Sequence, residues 1–567
     1  MSRAGSQPLI VLSDESQRTT GRDAQSMNIT AGKAVASAVR TTLGPKGMDK
    51  MLVGSSGGVI VTNDGVTILE EMDIEHPAAN MIVQVAETQE AEVGDGTTSA
   101  VIVAGELLAE AEELLERGVH ASTLTRGYRQ AAERTREYLA NRAISVESDD
   151  TDALEQLAAT AMTGKGAEAN KDHLAELVVQ AMLSVADEDG INTDHIDIQT
   201  KEGGSIEDTE LIDGMILKKT PPHQNMPLLV EDANVALLYG ALEVREMELD
   251  ADVNISDPDE LDQLLEQEEA QLQELVEQLV DLDVDAVFCA EGIDDLAQHY
   301  LAQNGIMALR RVSSGELGRL ARATGATAVN SPSELTADHI GYAGTVVQRD
   351  IGDGEWVFVE DVDAAKSVTL LIQGGTEHVV DEVERAVIDS IGVVRTAIQE
   401  GEILPGGGAP EIGISRELRT FADSVGGREQ LAIEAFAEAV EVVPRTLAEN
   451  AGHDTIDSIV ALRAAHDGGD EAAGLDAYTG KVIDMGTEGV YEPLRVKTQA
   501  IDAATEAAIM ILRIDDVIAA GDLAVSDDDE EMPPEAAGGP GGPGGPGGMG
   551  GGMGGMGGMG GGMGGMM

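Results

Sequence analysis

Asp95 stands between two glycines in "VGDGTTSA", followed at once by Thr97, Thr98 and Ser99. Glycine lets a backbone approach a ligand closely and take up left-handed conformations. The first amides of a helix have no intrahelical acceptor and sit at the positive end of its dipole, which makes an anion site. The three hydroxyls add donors there. A carboxylate would by itself repel a phosphate, but it becomes useful beside Mg²⁺, which takes one or two carboxylates together with phosphate oxygens. The stretch therefore reads as a phosphate and Mg²⁺ site. Taken alone, an ordinary capped turn is the second reading.

Other glycine-bearing turns repeat the theme. "TTLGPKGMDK" places Gly44, Pro45, Lys46 and Gly47 together, "TNDGVT" carries Asp64, and "LPGGGAPE" supplies three successive glycines. Each is weak alone, because turns generally use these residues. No segment reads as a Walker A loop or a dinucleotide fingerprint, and the ten histidines form no His-Glu-x-x-His. No Ser/His/Asp arrangement stands out. Cys289 is the only cysteine, which excludes an internal disulfide and a multi-cysteine metal site. Its apolar neighbours in "DAVFCAEG" make it a core residue rather than a nucleophile.

These residues belong to a chain of 567 residues, 42% hydrophobic but only 2% aromatic, which is too long for one core and predicts two to four domains built from Ala, Val, Ile, Leu and Met. Acidic residues number 104 against 36 basic ones, a net charge of −68. That balance excludes non-specific nucleic-acid binding, which needs Lys and Arg against phosphates. The charge is spread through periodic segments, so at ordinary ionic strength it would oppose compaction. At roughly 1 M salt the screening length falls to about 3 Å and the surface becomes tolerable. A salt-rich cytoplasm is the first reading and an acidic interaction surface the second. No signal-peptide pattern opens the chain and no apolar run approaches a membrane span, so a soluble, cytoplasmic protein without membrane partners is expected.

Apolar spacing predicts successive helices over 28–140, interrupted by a hairpin at 51–69 whose turn signals are Ser-Gly-Gly and Asn-Asp-Gly. A second helical block covers 149–184, and short strands follow over 191–240. Residues 256–289 begin with a helix that stands on its own: Asp257 is a candidate N-cap, Pro258 opens the first turn and Glu260 completes a capping box. Its apolar stripe is Leu261, Leu264, Leu265, Leu272, Leu275, Val276 and Leu279. Strand, helix and strand follow. Helices return from 367, with two further runs to Arg463 and a last helix over 494–520. Two helical blocks thus flank one α/β block, as when one domain is inserted into another. After "SDDDEEMPPEAA", Gly-Gly-Pro and Gly-Gly-Met units run to the end, either a linker or a sticky brush, and a disordered segment in both cases.

The segments "TTLGPKGMDKMLV", "VTNDGVTILEEMDIEHPAANMIVQVAETQEAEVGDGTTSAVIVAGELL", "TAMTGKG" and "LPGGGAPE" closely resemble the chaperonins, specifically the archaeal group II kind, in order from about residue 27 to 521. The resemblance implies an ATP-hydrolysing molecular chaperone, with ATP and Mg²⁺ as cofactors and non-native proteins as substrates. Self or paralogous subunits would stack in double rings, commonly of eight members each. It implies a multidomain chaperonin fold: a mainly α-helical equatorial ATPase domain (1–149 and 404–524), a small α+β intermediate hinge domain (150–217 and 367–403), and an α/β apical substrate domain (218–366). A helical lid protrusion falls at about 248–282, and 525–567 form the tail.

Carried over position by position, Asp95 resembles the Mg²⁺ ligand, and Gly96, Thr97, Thr98 and Ser99 the phosphate cradle. Leu43, Gly44 and Pro45 match the first nucleotide-binding turn. Asp64 and Asp389, the latter six residues before Arg395 in "DSIGVVRT", match the carboxylates that position and polarise the attacking water. Lys165 resembles the lysine that senses the γ-phosphate. Gly407 and Gly408 belong on the ribose and base side, with Gly474, Asp476 and Glu492 completing the pocket, although "GLDAYTG" departs slightly from the family pattern. The free-standing helix falls where group II rings carry a built-in lid, so its stripe either packs on its own domain, chiefly near its C-terminal end, or acts at the tip over 250–265. The Gly-Gly-Met tail is more reminiscent of bacterial chaperonins. Two rivals remain: a small-molecule phosphotransferase using the same turns, against which the missing Walker A and kinase loops count, and a non-catalytic acidic scaffold, which leaves the GDGTT block unexplained.

Overall fold

A core with so few aromatic rings must gain its density from helices that approach closely. In the computed structural model the helix Arg22–Val39 lies along Thr97–Glu116. A Cβ added at Gly105 would stand 2.3 Å from the Ala36 Cβ, and one at Gly32 would stand 2.6 Å from Leu108 Cδ1. Only glycine allows that spacing. The structure describes residues 18–54, 57–187, 190–243, 258–351, 354–362 and 367–518, and groups Arg18–Val517 as one unit.

Within that unit the hydrophobic side chains gather in separate cores. The first joins residues from Ile29 to Leu139 with residues from Leu404 to Leu512, so it draws on two distant stretches of chain. Its rare aromatic pair, Tyr128 and Phe436, meets edge-on with ring centroids 5.6 Å apart, and the Tyr128 hydroxyl donates to the Leu107 carbonyl oxygen at 2.7 Å. Beside it, the fully buried Glu441 carboxylate is faced by Arg419, Arg445 and Arg463. A buried carboxylate needs such partners, because an unpaired one costs several kcal/mol (about 3–5 when a buried pair is broken).

The second core combines the helices Thr151–Ala161, Lys171–Ser184 and Glu377–Glu400 with the strand Val368–Gly374. That strand pairs in parallel with Ile196–Glu202 and antiparallel with Glu210–Ile212. The third region is a six-stranded sheet in the order Met307–Leu309, Ala286–Cys289, Leu229–Leu238, Gly341–Ile351, Gly354–Glu360, Gly214–Leu217. Alternate side chains of Leu229–Leu238 enter opposite cores: Val235 and Leu237 one, Ala236 and Leu238 the other. Helix Ser314–Thr324 covers the first face through Leu317 and Leu320. Helix Pro258–Asp281 covers the second through Leu272, Val276 and Leu279, so the C-terminal part of its stripe is packing. Cys289 is fully buried in this sheet, where burial lifts its thiol to about 11, in keeping with a core residue.

Several expectations change. The hairpin is shorter than 51–69: strands Lys50–Val53 and Val59–Thr62 pair, and Gly65–Glu70 is a helix. The Asn-Asp-Gly signal is therefore a helix start, with Asp64 as its N-cap. The run expected as two helices before Arg463 is four: Ala409–Ala422, Glu429–Val440, Val442–Asn450 and Thr455–Asp467. The last helix stops at Leu512 and gives way to the short strand Asp516–Ile518. The Asp257 cap with its Glu260 side chain, the tip side chains expected to act over 250–265, and the tail at 525–567 lie outside the described residues.

Candidate functional site

The GDG turn is an elbow between two helices. Gly94 closes Pro77–Val93 with φ 71°, and Gly96 opens Thr97–Glu116 with φ 78°, both left-handed. Space demands glycine as well: a Cβ at Gly94 would lie 3.1 Å from the Gly392 Cα, and one at Gly96 would lie 2.9 Å from Val496 Cγ1. About half of the described α-helices are capped by a side chain, but no side chain caps Gly96. Its carbonyl accepts first from the Ala100 amide, so the amides of Thr97, Thr98 and Ser99 point out of the helix start. The helix Ala409–Ala422 begins the same way, on left-handed Gly408 without a side-chain cap. Both starts open on one cavity of about 620 Å³.

That cavity is lined by Leu43, Gly44, Pro45, Asp64, Asp95, Gly96, Thr97, Thr98, Ser99, Lys165, Asp389, Gly407, Gly408, Asp476 and Glu492. The sequence scatters these over 450 positions; the fold brings them to one cavity. Gly474 is the exception and does not line it. In its strand, Ala473–Asp476, a Cβ would meet Met485 Cγ at 2.6 Å and the Gly406 carbonyl at 2.9 Å, so it backs the glycine turn from behind. Gly44 seats a second loop: a Cβ at Gly164 would lie 2.5 Å from the Gly44 carbonyl oxygen, and Asn63 Nδ2 donates to the Gly164 carbonyl at 2.6 Å. The loop bearing Lys165 is thereby held against the 43–45 turn.

Electrostatics sharpen the cavity. Lys165 Nζ is ion-paired with Asp389 Oδ2. Burial pulls the Lys165 ammonium down, but Asp389, Asp95 and Asp64 outweigh it and hold the pKa above its usual value. Burial lifts the Asp389 carboxyl against the pull of Lys165. Asp64 Oδ2 accepts from the Thr67 amide at 2.8 Å and from its hydroxyl at 2.7 Å, which fixes the carboxylate. On the far side, the Asp476 carboxylate accepts from the Tyr478 amide and the Thr479 hydroxyl, so it is partly occupied by its own turn.

Sequence reasoning missed Glu90. It lies in the last turn of the helix that leads into the GDG turn, and it lines the cavity together with Asp64, Asp95 and Asp389. Its pKa rises from 4.5 to about 8, first through burial and then through Asp389 and Asp64, with Lys165 opposing. Its place one helical turn before Gly94, on the face that carries the turn, was the available signal. The sign of the consequence is fixed. Between the two pKa values the folded chain holds a proton that the unfolded chain has released, so stability falls as pH rises from about 4.5 to about 8. Without nucleotide or metal, Glu90→Gln should therefore gain melting temperature over the native chain as pH rises through that window. Parallel melting curves across it would contradict the burial of this carboxyl.

Three carboxylates, Asp64, Asp95 and Asp389, gather around Lys165 with the largely protonated Glu90 beside them, next to two helix starts without a side-chain cap, so the site offers negative charge to a cation and amides to an anion. Among the described residues no group of three or more His, Cys, Asp or Glu side chains is arranged to hold a metal ion. A cation here would accordingly share its shell with oxygens from elsewhere. None of the described helices is long and apolar enough to cross a membrane.

Comparison with known proteins shows the family. Residues 35–522 match the TCP-1/cpn60 chaperonin family. The chain is 66% identical to thermosome subunit 1 of Haloferax volcanii, covering 92% of this chain and 94% of the relative. It is 65% identical to thermosome subunit alpha of Halobacterium salinarum, over 93% and 94%. A thermosome subunit of Methanopyrus kandleri is 56% identical, over 91% and 95%. The first two come from halophilic archaea, as the acidic composition leads one to expect. The chain belongs to the TCP-1/cpn60 chaperonin family, on its archaeal group II side, whose members fold other proteins in double rings.

Proposed function

We propose that the cavity binds ATP with Mg²⁺ and hydrolyses it, and that this turnover drives a double ring of this chain, alone or with paralogous subunits, to enclose and fold non-native proteins. The observation that supports this most is that two separately packed bodies build the site. Lys165 and Asp389 ride on the second core, whereas Asp64, Asp95 and the uncapped Thr97 helix belong with the first. A movement between the two would assemble or open the site. The same cores support the domain division expected above, with the six-stranded sheet and the helix Pro258–Asp281 as the apical domain and its protrusion.

In this reading the amides and hydroxyls of Gly96, Thr97, Thr98 and Ser99 cradle phosphate, with the turn Leu43, Gly44 and Pro45 facing them. Asp95 would hold Mg²⁺, which supplies charge neutralisation between the phosphate oxygens. Lys165 leaves its pair with Asp389 for the terminal phosphate. Asp64 and Asp389 orient the attacking water and accept its proton. Gly407, Gly408, Asp476 and Glu492 take the ribose and base, and Gly474 holds the glycine turn from behind.

The test is phosphate release from Mg²⁺-ATP by the full chain in molar KCl, with Asp95→Ala beside it. Turnover without any added acceptor, reduced at least about tenfold in the variant, is the expected result. Turnover that needs a small-molecule acceptor would favour a phosphotransferase, and no turnover would leave a scaffold.

A further inference from the structure

Lys497 is almost fully buried and carries two carboxylates at once. Its Nζ lies 2.5 Å from Glu411 Oε1 and 2.9 Å from Glu492 Oε2. The three side chains grade outward from the core: Glu411 is 2% exposed, Lys497 7% and Glu492 20%. Glu492 and Lys497 line the cavity, and Glu411 lies behind them. The other oxygen of Glu411 is buried without a partner, so this residue is present for what it does to Lys497 and not for its own solvation. Such a triad is a poor way to stabilise a core, since apolar side chains of similar volume do as well or better.

Its placement gives it a purpose. Glu492 sits in the strand Tyr491–Pro493, opposite Leu404, two residues before the Gly406 turn. Glu411 lies in the first turn of the uncapped helix that this glycine turn opens. Lys497 is in the first turns of Leu494–Leu512, whose Val496 carbonyl accepts from Gln89 Nε2 at 3.0 Å. Gln89 Nε2 also donates to the Asp95 carbonyl at 2.8 Å. The triad therefore ties three cavity-lining segments at one point. We propose that Lys497, anchored by Glu411, is a positioning residue that aims the Glu492 carboxylate at the sugar hydroxyls of the bound nucleotide. A carboxylate with one oxygen held by an ammonium keeps the other free to accept from a hydroxyl. Burial, then Glu411, lifts the Glu492 carboxyl to about 7, and the Lys497 ammonium opposes any further rise. This inference rests on the nucleotide reading of the cavity.

The experiment compares ATP with 2′,3′-dideoxy-ATP as substrates of the assembled full chain, native, Lys497→Met and Glu411→Gln, in molar KCl with Mg²⁺. The native chain should prefer ATP by at least about tenfold in KM, as a site built to bond a hydroxyl does. Lys497→Met should raise the KM for ATP about tenfold, leave kcat within about threefold and bring the two KM values together. Glu411→Gln should move both in the same direction by a smaller factor, and it carries the test if Lys497→Met fails to assemble. Lys497→Arg should restore part of the preference. A Lys497→Met or Glu411→Gln chain that melts earlier but keeps the native preference would overturn the proposal and leave a merely structural triad. Native hydrolysis with no preference between the substrates would also overturn it while sparing the nucleotide site; no native hydrolysis would remove both.

Discussion

Asp389→Asn should lower ATP turnover by about 10²–10⁴-fold, the range for losing a positioned proton acceptor, while ATP binding stays within about threefold of native. Asparagine keeps the shape of a side chain that is only 7% exposed, so the helix Glu377–Glu400 should not be disturbed. It cannot take a proton, and it no longer competes as an anion for Lys165. The freed ammonium should hold phosphate at least as well as before. The loss therefore falls on kcat, the signature of an interaction made in the transition state. A second readout follows from the same charge. Asp389 is the largest charged cause of the raised Glu90 pKa, so the variant should show a weaker decline of stability between about pH 5 and 8. Native turnover in Asp389→Asn would mean that the attacking water is activated by another group.

Dilution from about 2 M to about 0.1 M KCl should lower the melting temperature by on the order of 10 °C or more and dissociate the ring. The net charge of −68 is the cause. At about 0.1 M the screening length is about 10 Å, so carboxylates on neighbouring helices and neighbouring subunits repel one another. The basic residues that could answer them are few, and three of them are shared between the buried Glu441 carboxylate and its neighbour Glu438. Buried pairs such as Lys497 with Glu411 are little screened and should persist until the global transition. Sorbitol at low ionic strength should not replace the salt, because it does not screen charge. A melting temperature and particle mass that ignore KCl concentration would contradict this account.

The cradle was legible because backbone demands leave a trace in residue type. Gly94 and Gly96 must be glycine for conformation and for space, so the turn announces itself. Asp64 was legible as a site residue and misread as an element. Asn-Asp-Gly serves a hairpin turn and a helix N-cap equally well, and only the bond from the Thr67 amide decides between them. The split between Glu429–Val440 and Val442–Asn450 was missed because apolar spacing continues through the break, although Pro444, tolerated only in the first turn of a helix, marks the second start. Asp389 carries no local signal at all: on its own helix it is an ordinary acidic residue, and it entered only through resemblance. Glu90, Glu411 and Lys497 were missed for a related reason. Their chemistry comes from burial beside other charges, and burial of a polar residue is decided by tertiary packing.

The most direct test of the central claim, an ATP-driven folding ring, is particle mass and size by light scattering in molar KCl with Mg²⁺, with and without ATP. The account predicts about 0.95 MDa, two eight-membered rings of 59.1 kDa chains, with a smaller hydrodynamic radius once ATP is added. A monomer or dimer under those conditions, or a ring whose radius ignores ATP, would contradict it.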